Sequence, residues 1–306
     1  QENIKYQKPS KEILDLVEFE RPPSILYDEN KNFMLFLFRD NYKSIAELSA
    51  KELRLGGLRI DPKTNIGSRV TYYNNVKIRN LKNQKSEITQ VKGLPKNPKL
   101  SNISWSPDQK RIALTNTTET GVELWVLELE NGSVTKLTEP NLNSNIGSVI
   151  NWFSDSENML VKMISNNRRP LIDTNKIVPD GPTISTNFGE KAQNRTYQDL
   201  LKNKFDEHNF EQLSTSSIYK VSIDGSVKKW MDDGMYRTIS FSPNGEYVMI
   251  SQINKPFSYL VTYSRFPTET NIYNKDGDFV SNLQKVPLIE ELPKGFMSVR
   301  TGKRSF

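Results

Sequence analysis

One hexapeptide pattern occurs twice in this chain, as Ile103-Ser-Trp-Ser-Pro-Asp108 and Ile239-Ser-Phe-Ser-Pro-Asn244. Each copy leads through a polar turn into an alternating stretch, Arg111-Ile-Ala-Leu-Thr115 and Glu246-Tyr-Val-Met-Ile250. Looser copies are Ile150-Asn-Trp-Phe-Ser-Asp155 before Met159-Leu-Val-Lys-Met163, and Ser24-Ile-Leu-Tyr-Asp28 before Phe33-Met-Leu-Phe-Leu37. A repeat of this kind constrains a fold strongly, because each unit buries its faces only against its neighbours.

The second half of the unit also recurs. Val122, Leu124 and Val126 alternate with Glu123 and Trp125, the period of a half-buried strand, and Asn131-Gly132 supplies a tight hairpin before Val134–Leu137. Ile218 to Gly225 and Asn271 to Gly277 are equivalents, and Val76 to Val91 is a weaker one. One unit is therefore four antiparallel strands. The 47 residues from Ile103 to Ile150 match a propeller blade. The other two spacings, 79 from Ser24 to Ile103 and 89 from Ile150 to Ile239, carry an excess that falls between second and third strands.

The expected fold is thus all-β: a β-propeller of four-stranded antiparallel blades with two partly helical insertions. Blades are expected at about 20–95, 98–140, 146–234 and 236–290, with the start of another at 295–306. The insertions are expected at about 39–75 and 165–216. Ser44-Ile-Ala-Glu47 is a capping-box pattern in the first, and Thr196-Tyr-Gln-Asp199 reads as a helix start in the second. A chain that stops inside a blade reads as part of a longer polypeptide, a permuted four-bladed ring being the other way to satisfy its ends.

Composition narrows the chemistry. There is no cysteine and a single histidine, His208, so disulfides, thiol nucleophiles and a zinc site built from Cys and His are excluded. Any in-chain general base of the histidine type is His208, which sits on the second insertion. The longest apolar run, Phe33–Phe38, is far too short for a membrane helix. The 42 basic and 36 acidic residues are interleaved, which speaks against a nucleic-acid or membrane partner. No glycine-rich phosphate loop or calcium loop is present, and no cofactor is expected. The four tryptophans, Trp105, Trp125, Trp152 and Trp230, are expected in core or inter-blade packing.

The unit Trp105-Ser-Pro-Asp108, Glu123-Leu-Trp-Val-Leu127, Thr135-Lys-Leu-Thr138 resembles the repeats of TolB-type propellers and of the N-terminal propeller of prolyl oligopeptidase family serine peptidases. Longer segments narrow this. Leu55-Gly-Gly-Leu-Arg-Ile-Asp-Pro62, Asn65-Ile-Gly-Ser-Arg69 and Asn194-Arg-Thr-Tyr-Gln-Asp-Leu-Leu-Lys-Asn203 are similar to the glutamyl endopeptidase branch. So are Pro256-Phe-Ser-Tyr-Leu260, Arg265-Phe-Pro267 and Gly295-Phe-Met-Ser-Val-Arg300.

The resemblance implies a seven-bladed propeller covering a C-terminal α/β-hydrolase domain that carries Ser, Asp and His. Peptides would be the substrates, with cleavage after glutamate. It also implies a periplasmic or secreted location, in keeping with Gln1 as the first residue. No Gly-x-Ser-x-Gly elbow occurs in this chain, so no catalytic residue is assigned to it.

Substrate-binding candidates are the carboxylates Asp206 and Glu207, for a substrate amine, and the guanidiniums of Arg195, Arg237 and Arg265, for a substrate carboxylate. Each residue equally suits a solvated turn or a surface ion pair. The other functional reading is a TolB-like propeller that binds a protein or peptide without chemistry.

Overall fold

The computed structural model describes residues 7–83, 85–173 and 197–290, together with 176, 178, 189 and 302. The strand expected at Phe296–Arg300 lies outside the described residues. Helix α1, Lys11–Val17, sends no side chain into a core. The first blade is built from β1 (Ser24–Tyr27) and β2 (Phe33–Phe38). The chain then leaves through α2 (Ile45–Leu48), β3 (Leu53–Leu55), β4 (Leu58–Asp61) and β5 (Ile66–Gly67). It returns as β6 (Asn75–Asn80) and β7 (Thr89–Gln90), giving the order β1-β2-β6-β7.

The second blade is a plain meander: β8 (Leu100–Trp105), β9 (Arg111–Thr117), β10 (Val122–Glu128) and β11 (Ser133–Lys136). The third begins with β12 (Ile150–Trp152) and β13 (Asn158–Ile164). It continues past α3 (Lys204–Ser214) into β14 (Ser216–Ser222) and β15 (Val227–Phe241). The fourth adds β16 (Tyr247–Ile253), β17 (Thr268–Asn274) and β18 (Phe279–Val286).

The third and fourth blades share one strand. β15 pairs with β14 as far as Gly234 and with β16 from Met235, so seven strands form one curled sheet. Asp232-Asp233-Gly234 has turn composition but does not turn. The Asp233 carboxylate accepts from Ser165 Oγ, Asn167 Nδ2 and Ser217 Oγ instead, and Gly234 leaves room for the Tyr236 ring.

The repeated hexapeptide is a repeated hydrogen-bond network. Ser106 Oγ donates to Asp108 Oδ1 at 2.6 Å and accepts from Arg111 N at 3.0 Å, while Lys110 N donates to Asp108 Oδ1 at 3.1 Å. Ser242 Oγ, Asn244 Oδ1, Glu246 N and Tyr247 N repeat that pattern in the fourth blade. Asp155 and Asp28 do the same work without the serine, each taking backbone N–H groups of the following turn. The side chains of these residues satisfy turn donors that no strand reaches.

Blades pack face to face, one core per interface. Leu35, Leu37 and Ile78 meet Leu100, Ile112 and Leu114. Ala113, Leu124 and Val126 meet Trp152, Met159 and Val161. Leu160 and Ile218 meet Ile239, Val248 and Ile250. β10 is therefore covered on both faces, not one. Glu123, expected to be solvated, is 8% exposed and accepts from Asn116 Nδ2 and Trp125 Nε1. The remaining three tryptophans also join inter-blade cores.

Candidate functional site

Antiparallel alternation sends the Ser-Pro-Asp-type turns to one end of the blades and the second-to-third-strand connections to the other. At this second end the connections are long in the first, third and fourth blades: 39–74, 165–215 and 254–267. In the second blade the connection is only the turn 118–121, closed by Thr118 N donating to the carbonyl of Gly121 at 2.8 Å.

The three long connections form one platform. Gly56-Gly57 turns β3 into β4. The tip is held from both sides: Gly57 N donates to the Asp199 carbonyl at 2.8 Å, and Tyr263 N donates to the Gly56 carbonyl at 2.7 Å. Arg59 Nε reaches Asp199 Oδ2 at 2.6 Å, with both side chains mostly buried. Beneath them Phe210 of α3 meets the rings of Phe257 and Phe266 nearly edge-on, at 5.1 and 5.6 Å. Leu55, Ile60, Leu213 and Val261 complete that core. Of the segments that resemble the glutamyl endopeptidase branch, the described parts at 55–62, 197–203 and 256–267, separated along the chain, thus touch one another here, while 295–300 lies outside the described residues.

Gly57 tests this packing. Its φ is +90°, and a Cβ would lie 2.7 Å from Thr262 Cγ2. Gly57→Ala is expected to destabilise the protein by about 2–3 kcal/mol, read as a lower urea midpoint with an unchanged m-value.

The second helix starts later than its sequence suggested. Thr196 lies outside the described residues. Asp199 has φ +58° and gives its carboxylate to Arg59, so it caps nothing. Asn203 is the N-cap, its Oδ1 accepting from Phe205 N and Asp206 N. At the other end the amides of Asn65, Asn143 and Asn145 all donate to the carbonyl of Leu213, at 3.3, 2.9 and 2.7 Å. Three amides from two segments thereby satisfy one buried helix terminus. In the first insertion the Ser44–Glu47 capping box is present on α2. The three-stranded sheet β3-β4-β5 beside it was not legible, since its strands are only two to four residues long.

The candidate residues fall around this platform. Asp206 and Glu207 occupy consecutive positions of α3, so their side chains diverge by about 100°. Asp206 Oδ2 accepts from Lys202 N at 2.9 Å, and burial pushes its carboxyl up. Burial acts upward on Glu207 too, but hydrogen bonds from the Tyr259 hydroxyl at 2.6 Å and Lys204 at 2.9 Å outweigh it and hold that carboxyl down. The two are not gathered into one paired site. His208 Nε2 lies 3.0 Å from the Pro170 carbonyl, which fixes that nitrogen as a donor.

Arg237 reaches the backbone of the segment that carries Arg265. Arg237 donates to the Ser264 carbonyl at 3.4 Å, next to Arg265 in sequence. Arg265 Nε donates to the Tyr197 hydroxyl at 3.0 Å, and its Nη1 is buried without a partner. Neither forms an ion pair with a described carboxylate, whereas Arg54, Arg59 and Arg111 all do. Arg195 lies outside the described residues. Among the described residues no three His, Asp or Glu side chains are arranged to hold a metal ion, and no helix is long and apolar enough to cross a membrane.

No family model matches the chain. It is 32% identical over 98% of its length to a protein named probable glutamyl endopeptidase, chloroplastic, from Oryza sativa subsp. japonica, of which it covers 33%. A protein of the same name from Arabidopsis thaliana is 31% identical over 98% of the chain and is covered over 32% of its own length. The chain therefore spans about a third of the curated relatives it matches. A solved acylaminoacyl peptidase from Pyrococcus horikoshii overlays 89% of the chain and 33% of its own, with 17% identity and a TM-score of 0.45, too slight to bear on function. By its four-stranded antiparallel blades and its sequence similarity, the chain is a propeller-like segment similar to about a third of two proteins named probable glutamyl endopeptidase.

Proposed function

We propose that this chain is the propeller portion of a longer serine peptidase. In that protein a C-terminal α/β-hydrolase domain in cis supplies Ser, Asp and His, and the propeller limits access to peptides. The observation that carries the reading is the platform. The sequence similarity spans both insertions, and the insertions pack with the 254–267 connection into one body at one end of the blades. A plain binding propeller has no need of that body. Within this reading Arg237 and Arg265, neither of them paired with a described carboxylate, hold the side-chain carboxylate of a substrate glutamate, the contact for which a planar fork of donors is suited.

The 306-residue chain is expected to release no product from a glutamyl-peptide reporter. Turnover that disappears in His208→Ala would place the chemistry in this chain and overturn the reading. Mass spectrometry of the native protein supplies the second arm. A polypeptide ending where this chain ends, with no hydrolase partner copurifying, would favour the peptide-binding module instead.

A further inference from the structure

The second blade is the one without a long connection at the platform end, and a cleft opens over its short turn. The cavity has a volume of about 640 Å³ and runs between α2 with β4 on one side and residues Thr117–Glu119 on the other. Two of its wall residues, Thr64 and Thr117, are more than nine-tenths buried, and their hydroxyls lack a hydrogen-bond partner. Thr117 Oγ1 lies near the Tyr72 hydroxyl, outside normal hydrogen-bond geometry. Unbonded buried hydroxyls cost stability and call for an explanation.

The charges around the cleft are unevenly committed. Three of its four carboxylates are already engaged, the fourth, Glu119, standing exposed on the short turn. Glu47 caps α2 and lies 3.7 Å from Lys99. Glu52 accepts from Arg54 and Ser68. Asp61 accepts from the N–H groups of Lys63 and Thr64. Three of its five cations are not ion-paired: Lys43, whose Nζ donates to the Ser68 carbonyl at 3.4 Å, and Lys63 form no ion pair with a described carboxylate, and Arg69 stands exposed on the same rim. A cleft with spare cations at its mouth and spare hydroxyls in its wall suits a ligand that is anionic and rich in hydrogen-bonding groups. Its one aromatic wall residue, Tyr72, is covered by Lys99 at 5.7 Å, so it offers no open stacking platform for a nucleobase.

We propose that this cleft binds an acidic peptide segment, with Lys43, Lys63 and Arg69 meeting its carboxylates and Thr64 and Thr117 its backbone. The proposal does not depend on the peptidase reading, because the cleft lies wholly within the described chain.

The test is fluorescence anisotropy on the 306-residue protein with a labelled peptide of alternating glutamate and alanine. Its glutamine counterpart and an oligothymidylate are run beside it, each at low and high salt. The glutamate peptide is expected to bind about tenfold tighter than the glutamine one, and less tightly at high salt. Lys43→Ala with Lys63→Ala is expected to abolish that preference. Thr117→Val removes a hydroxyl that bonds nothing, so it is expected to leave Tm unchanged or higher while weakening the peptide about threefold to tenfold. Equal affinity for the two peptides, a preference that survives the double lysine variant, or tighter binding of the oligothymidylate would each overturn the proposal.

Discussion

Phe210→Ala is expected to lower the stability of the protein by about 3–5 kcal/mol, the range for removing a fully enclosed aromatic ring. Phe210 is 0% exposed and lies where all three long connections meet. Its ring touches Phe257 and Phe266 of the 254–267 connection, and a face of it lies 3.4 Å from where a Cβ on Gly56 would stand. The vacated space cannot be refilled from one side, because the neighbours are tied by hydrogen bonds at Gly57 and Tyr263. The loss should therefore be local in its first signs. Hydrogen exchange is expected to rise in 53–67, 204–214 and 254–267 before it rises in β8–β11. A variant that unfolds less easily than about 1 kcal/mol below wild type, or that loosens all blades equally, would show that the platform is not a packed unit.

Lys162→Met is expected to stabilise the protein at low pH and to lose that advantage as pH rises. Lys162 sits in β13, 2% exposed, with its Nζ donating to the carbonyl of Ile146 and no ion pair to a described carboxylate. Burial pushes the amine down from 10.5 to about 7. The folded protein then binds fewer protons than the unfolded chain between those values. Stability therefore climbs from about pH 7 to about pH 10, and the penalty is largest below pH 7, where the buried amine must be charged. The full displacement corresponds to at most about 5 kcal/mol. Methionine removes the charge but leaves the Ile146 carbonyl unpaired, which takes back about 1–3 kcal/mol. Urea unfolding at about pH 6 should favour the variant by about 2–3 kcal/mol, and at about pH 9 the two should be nearly equal. A difference that does not change with pH would mean the amine is solvated in the folded state.

The blades were legible because their signal is local. Ser106 and Asp108 satisfy turn donors two to five residues away, so the hexapeptide carries its structure with it, and Ser242 with Asn244 repeats it. The alternation at Val122–Val126 likewise marks a strand wherever it lies. What escaped is what depends on distant partners. Asp199 reads as part of a helix start by sequence, and only the arrival of Arg59 explains where its carboxylate goes instead. Glu123 reads as a surface residue until the first blade is known to pack on the Trp125 and Leu127 face of its strand. Lys162 lies in a strand pattern that says nothing about whether its own face is wet. The cleft over the second blade is defined by where an insertion is not, and the strand pattern of β9 and β10 holds no trace of it. Of the candidate residues, the pairing of Arg237 with the segment before Arg265 needed the fold, although the residue type could be chosen from the chemistry alone.

Arg59 and Asp199 are 140 residues apart in sequence, and Asn65 bonds the Leu213 carbonyl across 148. A ribosome making about 5–20 residues per second leaves an interval of roughly 7–28 s between the two halves of that contact. During that time the first insertion has its Gly-Gly hairpin and its arginine but no surface to receive them. The first and second blades can form their own sheets meanwhile, since all their strands precede Asp199 in the chain. The platform is accordingly finished after the first two blades, once 254–267 has been made.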